Sequence, residues 1–245
     1  GGGSILTVPI MVYLFGVNPV VSTAYSLFVV GLTSIVGSYS HFKKGNVHFK
    51  TAIIFGIPSI IAVYTVRKFI VPAIPDPVFT TGSIVFSKNL FVMVLFALLM
   101  IVASVSMIRK PKLNERREIK YNFGLIFIEG IIVGGITGLV GAGGGFLIIP
   151  ALVLLAGLPM KQAVGTSLLI IAMKSLIGFT GDLGSGMDLD FSFMLIFSAF
   201  AIAGIIAGSH LSKFISNEKL KPVFGWFVMI MGVYILSKEI FFNGL

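Results

Sequence analysis

The stretch Gly141-Ala142-Gly143-Gly144-Gly145-Phe146-Leu147-Ile148-Ile149-Pro150 breaks a long apolar run with glycines, and a shorter echo, Gly1-Gly2-Gly3 running on to Pro9, opens the chain. From Tyr121 to Gly157 the run holds 37 residues. As one straight helix it would reach about 55 Å, nearly twice a hydrocarbon core of about 30 Å. A broken or tilted segment is therefore expected. Glycines at membrane depth point further, because irregular backbone survives there only where protein or a polar cavity shields it.

The surroundings fix the solvent. Hydrophobic residues make up 56% of the chain, charged residues 11%, and mean hydropathy is +1.05, too apolar for the surface of a soluble domain. Runs such as Leu90 to Ile108 and Leu220 to Leu236 are long enough to cross a bilayer. The formal charge of +9 gathers in short loops, where it sets membrane orientation; nucleic acid is not an expected partner. With no cysteine there is no thiolate metal site, no thiol nucleophile and no disulfide framework. His48 and His210 show no metal-ligand spacing, and neither a metal nor a cofactor is expected.

A shift of 141 residues pairs Pro9 with Pro150, Gly16 with Gly157, Ser26-Leu27 with Ser167-Leu168, Ser34 with Ser175, Gly37 with Gly178 and Gly45 with Gly186. Chance likeness between apolar runs matches Leu with Ile, not Pro, Gly and Ser at one spacing, so an internal duplication is expected. The expected organisation is a first repeat over 1–108, a basic linker over 109–120 and a second repeat over 121–245. Each repeat holds a Gly-broken segment and three spans, near 19–41, 49–70 and 89–108, then 161–181, 191–212 and 220–240. The chain lacks an initiator Met and starts inside what the second copy shows as a longer segment, so an upstream arm is expected.

Loop charges discriminate between threadings. With the linker inside, a re-entrant hairpin places thirteen basic residues inside, among them Lys43, Lys44, Lys50, Lys161, Lys213, Lys219 and Lys221, against Arg67, Lys68, Lys88 and Lys238 outside. A fully crossing segment gives ten against seven. The hairpin is favoured, and with three crossings per half it makes the repeats inverted. The fold class expected is thus an all-α polytopic membrane protein of two inverted repeats.

At the break, Gly143, Gly144 and Gly145 would present unpaired amides at the positive start of a half-helix, which suits an anion. Close helix packing is the competing account of the glycines. Lys174 lies mid-span, where an ammonium needs water, a partner or a ligand. Glu129 or a bound anion is its candidate partner. Ser26, Thr166 and Ser167 add hydroxyl donors, and Gly1, Gly2 and Gly3 would form the facing half of the site. Glu129 and His41 are the candidates for proton coupling.

Gly143 to Pro150, followed by Ala163-Val164-Gly165-Thr166-Ser167 and Gly178, resembles the TauE/SafE sulfite exporter family, also called the TSUP permeases. The first half carries a variant in Gly1 to Pro9, Ser22 to Ser26, Ser34 to Gly37 and His41 to Val47, with Tyr25 where the second copy has Thr166. The resemblance implies a multi-pass inner-membrane secondary transporter for sulfite, organosulfonates or related sulfur-containing anions, working by alternating access. The alternatives are a passive anion channel and a membrane-embedded enzyme, the latter disfavoured by sparse intramembrane ionisable groups. Export or import, coupling ion and monomer or homodimer stay open.

Overall fold

A computed structural model describes residues 3–81, 84–108, 123–211 and 217–241. The chain folds as α1 (Gly3–Tyr13), α2 (Pro19–Lys43), α3 (Phe49–Thr65), a π-helical turn (Val66–Ile70) running into α4 (Val71–Ala73), a hairpin of β1 (Phe79–Thr81) and β2 (Ile84–Phe86), then α5 (Lys88–Ile108), α6 (Phe123–Val140), α7 (Gly145–Leu154), α8 (Met160–Thr180), α9 (Phe191–Leu211) and α10 (Asn217–Phe241). Seven helical stretches among the described residues are long and apolar enough to cross a membrane: α2, Phe49–Ala73, α5, α6, α8, α9 and α10. The protein is a multi-pass helical membrane protein. The small hairpin, with the rings of Phe79 and Phe86 stacked at 4.6 Å, is a feature the apolar runs did not foretell.

Glycines set the helix crossings and so reveal directions. Gly37 faces Leu168 while Gly178 faces Leu27, so α2 and α8 run antiparallel, each glycine receiving the other helix's leucine. Along α6, Gly130 lies against Phe55, Gly134 against Ser59 and Gly138 against Val63 and Val66, so α6 runs parallel to α3. Gly56 against Ile170 and Gly178 against Val63 show that α8 runs parallel to α3 as well. Consequently α6 and α8 start on the same side, and the chain between them returns to the side it left. The arms are unequal: α6 has 18 residues, about 27 Å, and α7 only 10.

Backbone details recur at the spacing of the sequence repeat. Positive φ angles occur at Gly16 (66°) and Gly157 (64°), and at Gly45 (68°) and Gly186 (75°). The N–H of Val17 donates to Met11 O and that of Leu158 to Leu152 O, at 3.0 and 3.1 Å. Contacts between the halves are reciprocal too. The His48 N–H donates to Thr166 Oγ1 at 2.9 Å, and the Asp190 N–H donates to Tyr25 Oη at 2.6 Å. The tip of α1 meets the second break directly, since Ile5, Val140 and Ala142 share one buried apolar cluster with Met93, Phe96 and Met100 of α5.

Candidate functional site

The break begins where α6 ends at Val140 and closes where α7 opens at Gly145, with Gly144 as N-cap at φ 70°, ψ 15°. Only glycine takes this left-handed conformation routinely. Space demands it as well, because a Cβ on Gly144 would run into the Thr137 methyl and sit 3.1 Å from Lys174 Nζ. Gly143, Gly144 and Gly145 are all buried. The Gly144 carbonyl accepts from the Leu147 and Ile148 amides, both at 2.9 Å, which starts the helix. The first amides of α7 have no carbonyl inside their own helix, as at any helix start, and here they begin in a buried place.

Lys174 stands beside them. Its side chain is fully buried, and Nζ donates to Thr137 Oγ1 at 2.7 Å. Thr137 passes its own hydroxyl proton to Val133 O at 2.7 Å, so it takes the ammonium as an acceptor and stays satisfied. Glu129 lies two turns earlier on α6 and does not pair with Lys174; among the described residues the ion pair is Arg67 with Asp182. The lysine therefore keeps donor capacity that a neutral hydroxyl alone takes up only in part.

The sequence-selected groups divide into those brought together and those held apart. Lys174 and Gly144 meet, with Gly143 and Gly145 adjoining. Thr166 and Ser167 sit about two turns toward the start of α8, where Thr166 accepts the His48 amide and Ser167 Oγ donates to Val164 O at 2.8 Å. Ser26 is fully buried, on the stretch of α2 that faces the far end of α8, and its Oγ has no hydrogen-bond partner among the described residues. His41 lies at the opposite end, against Gly165, and its Nδ1 is likewise unpartnered there. Glu129 is half-buried on α6. Gly1 and Gly2 lie outside the described residues; Gly3 opens α1. Lys174 is also about 6 Å from the midpoint of α8, nearer its C-terminal end, rather than at the middle.

Three features escaped the sequence reading. Thr137, the partner of Lys174, looked like any helix threonine. Ser59 and Ser175 are fully buried hydroxyls without hydrogen-bond partners among the described residues, Ser175 adjoining Lys174 and Ser59 facing Gly134. Arg67, counted among outer loop charges, is instead fully buried and clasps Asp182. The recess beside the break, bounded by Ile5, Phe96, Leu99, Met100, Val140 and Ala142, is apolar and small, with room for about one water.

A bundle of membrane-spanning helices, interrupted at a glycine run beside a buried lysine, makes this a polytopic membrane protein. The chain belongs to the sulfite exporter TauE/SafE family, whose model matches residues 1–235. Among similar proteins is a probable membrane transporter protein of Xylella fastidiosa strain 9a5c, 29% identical over 98% of this chain and 88% of its own length. Another, from Methanocaldococcus jannaschii, is 29% identical over 96% of this chain and 88% of its own. A third, from Bacillus subtilis, is 25% identical over 98% and 92%. No solved structure matches the chain. It is a membrane transporter of that family.

Proposed function

We propose that this transporter is a secondary carrier for a small sulfur-containing oxyanion, sulfite or an organosulfonate, working by alternating access between two inverted halves. The observation that carries the reading is Lys174, fully buried, bound to one neutral hydroxyl and set against Gly144 at the start of α7. A tetrahedral or pyramidal sulfur oxyanion offers three acceptor oxygens, which suit the Gly143 to Gly145 amides, the positive end of α7 and the ammonium together. Ser26 lines the route on one side of this point and Thr166 and Ser167 on the other, with Gly3, at the start of α1, on the facing side. Glu129 and His41 are the groups proposed to carry coupled protons. Repeat-equivalent helices that run antiparallel, and the reciprocal hydroxyl contacts of Tyr25 and Thr166, support inverted halves able to rock about this point.

Uptake into proteoliposomes tests the reading. Sulfite and methanesulfonate flux should saturate, respond to an imposed proton gradient and collapse in Lys174→Ala. Flux that never saturates and ignores the gradient would establish a channel. Transport by Lys174→Ala at the wild-type rate would remove the lysine from the site.

A further inference from the structure

Beyond Thr137 and Lys174, toward the end of the molecule where Lys68 and Lys88 lie, a second polar cluster closes the bundle. Arg67 sits in the π-helical turn Val66–Ile70, its side chain fully buried. Its Nε donates to both Asp182 oxygens, at 2.9 and 2.8 Å, and Nη2 lies 2.7 Å from Asp182 Oδ2. Nη1 donates to Thr23 Oγ1 at 2.9 Å and to Gly138 O at 3.3 Å. One guanidinium thus ties α2 and the α3 turn of the first half to α6 and the end of α8 of the second. Gly138 immediately follows Thr137 and Gly141 packs on Thr23, so the cluster caps the break itself. By the loop charges this is the outer side.

A buried ion pair is a poor device for stability alone, since apolar residues of similar volume hold a core as well or better. A guanidinium fork, however, binds carboxylates and other oxyanions alike in bidentate fashion. π-turns also recur at functional positions in helices.

We propose that Arg67 is the outer anion station of the transport path, and that Asp182 is a resident carboxylate occupying it while the outer gate is shut. An oxyanion arriving from outside takes the place of Asp182 on Arg67. The tie between the halves then breaks, and the way to Lys174 opens. This rests on the carrier reading above.

The absence of native cysteine allows a direct test. Ser175→Cys, beside Lys174, is reconstituted in oriented proteoliposomes and exposed to a membrane-impermeant methanethiosulfonate from either face. Asp182→Asn is expected to raise outer labelling and lower inner labelling, shifting their ratio by about tenfold, the change set by a bias of about 1.4 kcal/mol. Thr23→Val, which removes one leg without stranding a charge, moves the ratio the same way by less. The exchanged pair Arg67→Asp with Asp182→Arg returns it toward the starting value. Equal gains at both faces in Asp182→Asn and Thr23→Val, or no change in either, overturn the gate. Protection by added methanesulfonate, which unlike sulfite does not attack the thiosulfonate reagent, is the separate arm: its absence in every variant refutes the carrier site, whatever the labelling ratio does.

Discussion

Replacing Lys174 by Met separates a binding role from a structural one, because the two predict opposite signs of stability. Methionine fills a similar elongated space and carries no charge. The cost of a lysine, about 2.5–3.5 kcal/mol at the centre of a membrane helix, is less at Lys174, about 6 Å from the midpoint of α8, and one hydroxyl, Thr137 Oγ1, offsets part of it. Thr137 loses nothing essential in the variant, since its proton still goes to Val133 O. The anion-free Lys174→Met protein is therefore expected to be more stable than wild type, by about 1–3 kcal/mol, and to melt several degrees higher at roughly 2–4 °C per kcal/mol. Anion binding should move the other way. Loss of one charge-assisted hydrogen bond, about 1.5–3 kcal/mol, weakens affinity roughly 10- to 150-fold. Sulfite at about a hundred times its wild-type dissociation constant adds about 2.7 kcal/mol to the wild type and about 0.3–1.4 kcal/mol to the variant. Thermal melts in detergent, with and without sulfite, read both quantities. A variant that melts lower without sulfite yet keeps the full sulfite shift refutes the assignment.

Gly144→Ala is expected to cost about 1–2 kcal/mol from the left-handed backbone alone, and more from the collision with Thr137, and to reduce sulfite uptake while Gly16→Ala, whose new Cβ meets nothing, pays the backbone cost without losing transport. Thr166→Val and Tyr25→Phe each strand a loop amide, of His48 and Asp190 respectively, and should destabilise by about 1–3 kcal/mol in chemical or thermal melts, with Thr166→Ser close to wild type. Breaking the buried pair with Asp182→Ala or Arg67→Ala alone should cost about 3–5 kcal/mol, whereas Arg67→Met with Asp182→Leu recovers most of it, a coupling that a double-mutant cycle measures. Single cysteines should label from opposite faces, Lys161→Cys from inside and Asp188→Cys from outside.

The spans, the loop boundaries and the place of the break were legible because each depends on local chemistry. Twenty apolar residues must cross lipid, and glycines in such a run must open the helix or bring another backbone close. Lys174 was legible for the same reason, as the cost of a buried ammonium belongs to one residue. What it touches was not. Thr137 reaches it across 37 positions of sequence, and Arg67 reaches Asp182 across 115. Arg67 misled for a physical reason. The apolar run from Phe49 looked finished near Ile70, so a nearby arginine read as a boundary charge; the π-turn and α4 carry the helix on to Ala73 and draw Arg67 into the bundle.

The two halves proposed above share backbone turns and differ in charge, and on the carrier reading the difference gives them unequal work. Thr33 occupies the repeat position of Lys174, but its hydroxyl is spent on the Val29 and Val30 carbonyls, at 2.8 and 3.1 Å, so the first half offers no second ammonium to an anion at the break. His41 likewise occupies the position of Asp182. Around Asp182, burial pushes the carboxyl up and the Arg67 guanidinium pulls it back down, in a clasp holding four chain segments together. His41 is half-buried with its Cβ against Gly165, and a neutral bond from the His48 amide to Thr166 lies nearby. On the carrier reading proposed above, an ion-paired clasp at one face and a seam without an ion pair among the described residues at the other give barriers of different height. Opening the inner seam parts neutral contacts that water readily replaces; opening the outer clasp separates ions, for which an arriving anion is the natural substitute. On that reading, substrate on the outside does what its absence cannot, and a handful of unmatched side chains gives the proposed repeat frame a direction of response.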